Sequence, residues 1–295
     1  MVTNYNAMQS QNLKIMVVVA HPHDFTHCAG TCGIHRKLGD AVTVVAITNG
    51  GATHNEKLSS ELLKPESERD PAVLSMTPEA YEAQKQAEFR KACSYFDVAD
   101  IRFLSAPDPF RVNTNHQAVH KLRDIILDVR PEVVITHSPY LNGYNGRNDL
   151  AYAAPEDHTE VAFAYSEAAM LAGTPNYKTK AVPHSVAAVY YMGVFCSPNQ
   201  VDFHIDVSDW FEQRVAAEAA FATQGHDETF ARTRMVTDIG HQGWFSGTQY
   251  AEGFLRARRE LLTHIVVPER ALKQAKSSHM KHLAWISGKK GAENV

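Results

Sequence analysis

Short runs of β-branched residues, apolar without alternation, recur along the chain and are separated by stretches with helical spacing. The first run, "KIMVVVA" (Lys14–Ala20), reads as a strand buried on both faces. Thr26–Leu38 follows with apolar positions at helical intervals and stops at Gly39-Asp40, a helix-ending pair. Ala41–Thr48 is a second buried strand, closed by Asn49-Gly50-Gly51. The polar stretch 54–77, with prolines at 65 and 71, predicts a long surface loop. Helical spacing returns over Pro78–Phe96 and Asn115–Val129, with a short strand near Ile101–Leu104 between them. Glu132–Thr136 is a third Val/Ile strand. An irregular stretch, 137–156, precedes a helix over Asp157–Ala172, and strand Ser185–Val194 and helix Ser208–Thr223 come next. Beyond Gln224 the pattern weakens, and the Lys-rich stretch 273–290 reads as a docked helix or a tail.

Strands alternating with helices predict an α/β protein with a Rossmann-like, mainly parallel sheet and helices on both faces. No repeat or linker divides the chain, so the expectation is a single domain over residues 1–295. Its core spans about 14–255, and 256–295 form a C-terminal extension. In such sheets, ligands gather beyond the carboxyl ends of the strands. His21–Asp24, Asn49–Gly51, Asp108 and His137 all follow expected strands and can meet on one rim. A dinucleotide is not expected, because HPHD, not G-x-G-x-x-G, follows the first strand.

Composition changes this picture little. A hydrophobic share of 44% and a charged share of 21% are those of an ordinary globular protein. A net charge of −4 argues against a nucleic-acid binder that neutralises phosphates. No apolar run approaches the roughly 20 residues that span a bilayer. The N-terminus lacks the apolar core of a secretory signal, so the expected location is cytoplasmic and the expected partner a small molecule. The cysteines, Cys28, Cys32, Cys93 and Cys196, form no CxxC; the 28/32 pair shares a helix face and reads as packing.

The chemistry concentrates in "AHPHDF" (Ala20–Phe25), where a strand ends in coordinating side chains. A catalytic zinc site takes three protein ligands and leaves a position for water. His21 and Asp24, three apart at a strand-to-helix turn, can share one ion, and Asp157-His158 at a helix start is the best source of a third ligand. Any one of these histidines alone would read as packing; strand end, spacing and distant Asp-His agree on metal.

These residues resemble the LmbE-like, or PIG-L, family of zinc-dependent de-N-acetylases, whose hallmarks are AHPDDE after the first strand and a later HPDH. Here they read AHPHDF and PEDH (Pro155–His158). "LGDAVTVVAITNGG" resembles the family's second strand and glycine turn, and "AEFRKACSYFDV" its following helix, with Lys85 where arginine is usual. "FLSAPD", ending at Asp108, and "YAEGF" (Tyr250–Phe254) extend the resemblance over roughly residues 14–255.

The resemblance implies His21, Asp24 and His158 as metal ligands, with zinc the expected ion, although two imidazoles and a carboxylate suit other first-row metals. It also exposes departures. The family's general-base aspartate is His23 here, its first HPDH histidine is Pro155, and its glutamate after the paired aspartates is Phe25. Imidazole titrates near neutrality and serves as a general base, so His23 is the candidate catalytic residue. Proline offers no donor, and the lost function would fall to His27, His137, His241, His264 or a histidine of a neighbouring subunit, which makes a homo-oligomer a candidate assembly. Asn49, Asp108, Arg147 and Asn148 are candidate substrate contacts, and loops 54–77 and 138–156 are expected to shape the pocket. His27 itself reads as a helix residue without a ligand role.

The expected activity is hydrolysis of an amide C–N bond, removing an acyl group from an N-acyl amine or amino sugar conjugate. The alternative is a metal-dependent hydratase of an unsaturated keto dicarboxylic acid, a lyase known in the same family. Its first motif carries the Asp-Phe pair seen here at Asp24-Phe25, and Arg111, Arg147 or Arg232 could meet the carboxylates. An inactive metal-binding member is the third reading.

Overall fold

The Val- and Ile-rich runs become the middle of one seven-stranded sheet. Its strands are β1 (Lys14–Val19), β2 (Ala41–Ala46), β3 (Asp100–Phe103), β4 (Val133–Thr136), β5 (Ala188–Met192), β6 (Phe203–Asp206) and β7 (Ala251–Arg256). They lie in the order β3-β2-β1-β4-β5-β7-β6. The first five are mutually parallel, and β7 runs antiparallel between β5 and β6. The computed structural model describes residues 12–140, 156–176, 180–196 and 198–287.

In the centre, Val17 of β1 pairs with Val44 of β2 and Ile135 of β4. Helices cover both faces, which is why β1 shows no polar alternation. Its odd residues, Ile15, Val17 and Val19, join one apolar cluster with Phe25, Phe89, Phe96 and Trp210. Its even residues, Met16 and Val18, join the opposite cluster with Leu122, Ile126, Val161 and Tyr165. The two-residue period of a strand thus divides one apolar run between two cores. Chain order reverses between β1 and β4, so the crevice beyond their carboxyl ends is the topological switch point, where ligands of open α/β sheets bind. The α/β, mainly parallel architecture is the one expected.

Local details differ. The first helical segment divides into a 3₁₀ helix, Pro22–Cys28, and an α-helix, Ala29–Leu38, which Gly39 closes in the left-handed conformation at φ 91°. Stretch 54–77 is not a plain loop. It holds helices Glu56–Leu62 and Pro71–Leu74 and a 3₁₀ turn at Glu66–Glu68. Asn55 and Asp70 cap the two helices through their side chains, and such capping residues look like loop composition in a sequence. β6 escaped the sequence reading because its partner, β7, lies far along the chain. A 19-residue helix, Glu228–Ser246, occupies the weakly patterned region, and helices Glu269–Gln274 and His279–Ile286 occupy the Lys-rich one. Among the described residues, no helix is long and apolar enough to cross a membrane.

Candidate metal centre

Where β1 ends, the chain turns at His21 into the 3₁₀ helix, and Asp24 folds back to accept the His21 backbone N–H at 2.8 Å. The turn leaves Asp24 fully buried with imidazoles on several sides. Its Oδ2 lies 3.4 Å from His21 Nδ1, 3.4 Å from His158 Nε2 and 3.3 Å from His137 Nε2, and its Oδ1 lies 3.3 Å from His23 Nε2. His137 follows β4 directly, across the switch point, and its Nε2 accepts the Ala20 N–H at 3.0 Å. His158 stands in the first turn of helix Asp157–Gly173, where the N-cap Glu156 accepts the His158 N–H and meets the His158 ring.

A second ring of groups fixes His21 from outside. Its Nε2 faces Thr53 Oγ1 at 3.0 Å, Asp157 at 3.2 Å and Asp108 at 3.7 Å. Arg111 holds Asp157 at 2.6 Å. Asp108 accepts the Ala52 and Thr53 backbone N–H groups and the Thr53 hydroxyl, so it pins the 52–53 turn. His54 follows on that turn, with its ring centroid 4.4 Å from those of both His21 and His23.

The electrostatics follow from burial and from Asp24. Burial alone would raise the Asp24 carboxyl, but His158, His23 and His137 hold it well below the usual carboxylate range. Burial opposes charge on His21, yet Asp108, Asp157 and Asp24 together lift it well above an ordinary imidazole. His158 is raised to about 9 in the same way, against burial, by Asp24 and Glu156. His23 goes the other way: burial pushes it well below its usual value despite Asp24, and His54 and Arg234 add to the push. Burial, helped by His158, takes His137 to about 4.

Asp24 Oδ1, His21 Nδ1 and His23 Nδ1 are buried and make no hydrogen bond. One buried carboxylate among imidazoles, with donor atoms left over, is the chemistry of a divalent cation site. Several His/Asp groups here place ligand atoms within 4.8 Å of one another, among them His21–His54–His158 and Asp24–His137–His158. The residues fit a metal.

Two cavities flank the cluster. One, of about 590 Å³, opens onto His23 and His54 and is also lined by Glu56, Gln224, His226 and Arg234. The other, of about 520 Å³, is lined by Asn49, Tyr81 and Asp108 among others.

His21, His23, Asp24 and His158, singled out from the sequence, come together. Asn49 faces the second cavity, with its Oδ1 accepting the Gly51 N–H at 2.8 Å. Arg147, Asn148 and Pro155 lie outside the described residues. Phe25 is core, edge-on to Phe89 and Phe96. Arg111 reaches the site through Asp157, whereas Arg232 is a surface residue paired with Glu212 and Glu228. Sequence reasoning missed His54 and Glu56, which sit in the stretch taken for a loop. Their signal was only a histidine soon after a strand-ending glycine turn.

The family model described as "PIG-L: GlcNAc-PI de-N-acetylase" matches residues 16–169. Two curated relatives are both named 1D-myo-inositol 2-acetamido-2-deoxy-alpha-D-glucopyranoside deacetylase. The one from Streptomyces griseus is 27% identical over 226 residues, covering 70% of this chain and 58% of the relative's length. The one from Thermobifida fusca is 28% identical over 251 residues, covering 72% of this chain and 83% of the relative. Among solved structures, the 4-carboxy-2-hydroxymuconate hydratase from Pseudomonas putida superposes with a TM-score of 0.63 at 22% identity, over 88% of this chain and all of that one.

Proposed function

The chain belongs to the PIG-L family of de-N-acetylases, and from that premise we propose that it is a metal-dependent hydrolase of N-acyl amines, with an acetylated amino sugar as substrate class. The observation that carries the reading is the fully buried Asp24, with His21, His158, His137 and His23 converging on its two oxygens. His21, Asp24 and His158 would hold the ion, with zinc the first choice among divalent metals. Bound there, it would supply Lewis-acid polarisation of the acyl oxygen and acidify water.

The chain's own residues then divide the remaining work. His23 turns Nε2 to Asp24, which leaves Nδ1 as the atom that takes the proton from the water whose oxygen adds to the acyl carbon. Burial keeps the ring neutral and therefore ready to accept one. As the acyl C–N bond breaks, the same nitrogen returns the proton to the departing amine. Asp108 and Asp157 orient His21, and the cavity at His23 and His54 admits the acyl group. The relatives named above act on an acetamido sugar, which supports the substrate class.

Elemental analysis of the protein beside His21→Ala, Asp24→Ala and His158→Ala, followed by amine release from N-acetyl amino sugars, tests the reading. About one divalent ion per chain, lost in each variant, with amine released by the parent, is the expected result. Metal unchanged in the variants would overturn the ligand set. A second reading, hydration of an unsaturated keto dicarboxylate, is favoured by imidazole standing in place of the carboxylate base and by the Asp24-Phe25 pair. Addition of water to such a keto acid, with no amine released from N-acetyl amino sugars, would select it.

A further inference from the structure

His54 stands apart from the other spare imidazoles. His137 has its Nε2 engaged by the Ala20 N–H, and His27 groups with His23 and Asp24 and not with His21 and His158, its Nδ1 lying 3.9 Å from Asp238. His54 instead offers a ligand atom within 4.8 Å of those of His21 and His158, and it lines the cavity through which a substrate would come. Its position is built. The His54 N–H donates to Gly50 O at 2.9 Å, closing a turn in which Gly50 takes φ +71°. A Cβ at Gly50 would meet His54 Cβ at 3.2 Å and His21 at 3.6 Å, so the turn needs glycine for both conformation and space. Tyr81, on helix Pro78–Ser94, donates its hydroxyl to the His54 carbonyl at 2.6 Å. The ring is oriented as well, because Nδ1 faces Glu56 Oε1 at 3.2 Å. A carboxylate on one imidazole nitrogen, with the other turned to the ion, is the usual support of a metal-binding histidine.

Building on the metal reading above, we propose that His54 is a fourth protein ligand. With Nδ1–H donated to Glu56, Nε2 closes the coordination shell on the cavity side. A shell of three imidazoles and one carboxylate is complete for a tetrahedral ion, whereas a catalytic site keeps a position open. With these four residues holding the ion, turn 50–54 would control entry from the cavity, since His54 lies between that cavity and the other three.

Cobalt(II) titration of the metal-free full chain tests this, read by visible absorption and by dissociation constant. The parent should show the intense bands of four-coordinate Co(II). His54→Ala should lose their intensity and bind at least ~100-fold more weakly, and Glu56→Ala, which removes only the support, roughly 10-fold more weakly. His54→Asp, which keeps an oxygen ligand, should restore most of the affinity, and unchanged melting of each metal-free variant shows that folding is intact. A His54→Ala variant with the parent's spectrum and affinity overturns the proposal. A parent that takes up no Co(II) overturns the metal reading itself, and the two failures are told apart by that first titration.

Discussion

At His23, burial drives a proton off the ring, with His54 and Arg234 adding to the push, while Asp24 draws one toward it. Burial outweighs attraction, so the imidazole is neutral at physiological pH. Glutamine can keep a polar N–H group beside Asp24 but cannot hold a proton. His23→Gln should therefore lower turnover by ~10²–10⁴-fold while leaving metal content at the parent's level. Turnover and ions per chain, measured on the same preparation, check this; loss of metal alongside activity would make His23 a ligand instead. Asp108, expected to touch substrate, has its oxygens engaged by the 52–53 turn and by His21, which suits a positioning residue.

One scale up, the helix that follows the site depends on β7. Glu252 accepts the N–H groups of Gly30 and Thr31 at 2.9 and 2.8 Å and the Thr31 hydroxyl at 2.6 Å, satisfying the buried N-terminus of helix Ala29–Leu38. Arg214, completely buried on helix Phe211–Ala219, pairs with the same carboxylate. "YAEGF" thus acts on the site from across the sheet, by anchoring the helix that follows His21–Asp24. The two partners are not equivalent, since arginine cannot shed its charge whereas a carboxyl can take a proton. Glu252→Ala should cost ~3–5 kcal/mol, because it leaves a buried guanidinium and orphaned N–H groups. Arg214→Met should cost clearly less, because Glu252 keeps three donors and can go neutral. Urea unfolding of both variants checks the order, and equal losses would contradict it.

For the whole molecule, the buried histidines set opposite limits on stability. Burial, with Arg234 nearby, holds His27 at about 3, and burial with His158 holds His137 at about 4. Both folded values lie below the roughly 6.5 of an unfolded imidazole. Their contribution is therefore complete above about 6.5 and is lost as pH falls toward the folded values. His158 is raised to about 9, so its contribution is complete below about 6.5 and is lost as pH rises through 9. Metal-free protein should be most stable near pH 6.5–7 and weaken on both sides. Bound metal should remove the alkaline loss, since it requires His158 neutral. Denaturation midpoints across pH, with and without chelator, measure this, and a flat acid limb between 6.5 and 4 would refute it.

How much of this was legible beforehand depends on the range of each signal. Apolar runs and helical spacing are local, and so are a strand ending in HPHD and an Asp-His pair at a helix start. The fold class, the position of β1 and the residues His21, His23, Asp24 and His158 could therefore be read from the sequence. The short helices between 56 and 74 were hidden because their caps are also loop residues. β6 and β7 depend on each other across some fifty residues. Only the tertiary structure decided which histidines meet. Strand order places His137 beside Asp24 across the switch point, the Gly50 turn aims His54 at His21, and β7 secures the helix behind both. Periodicity records which face of an element is buried, but contacts between distant rings are set by the order and register of the sheet.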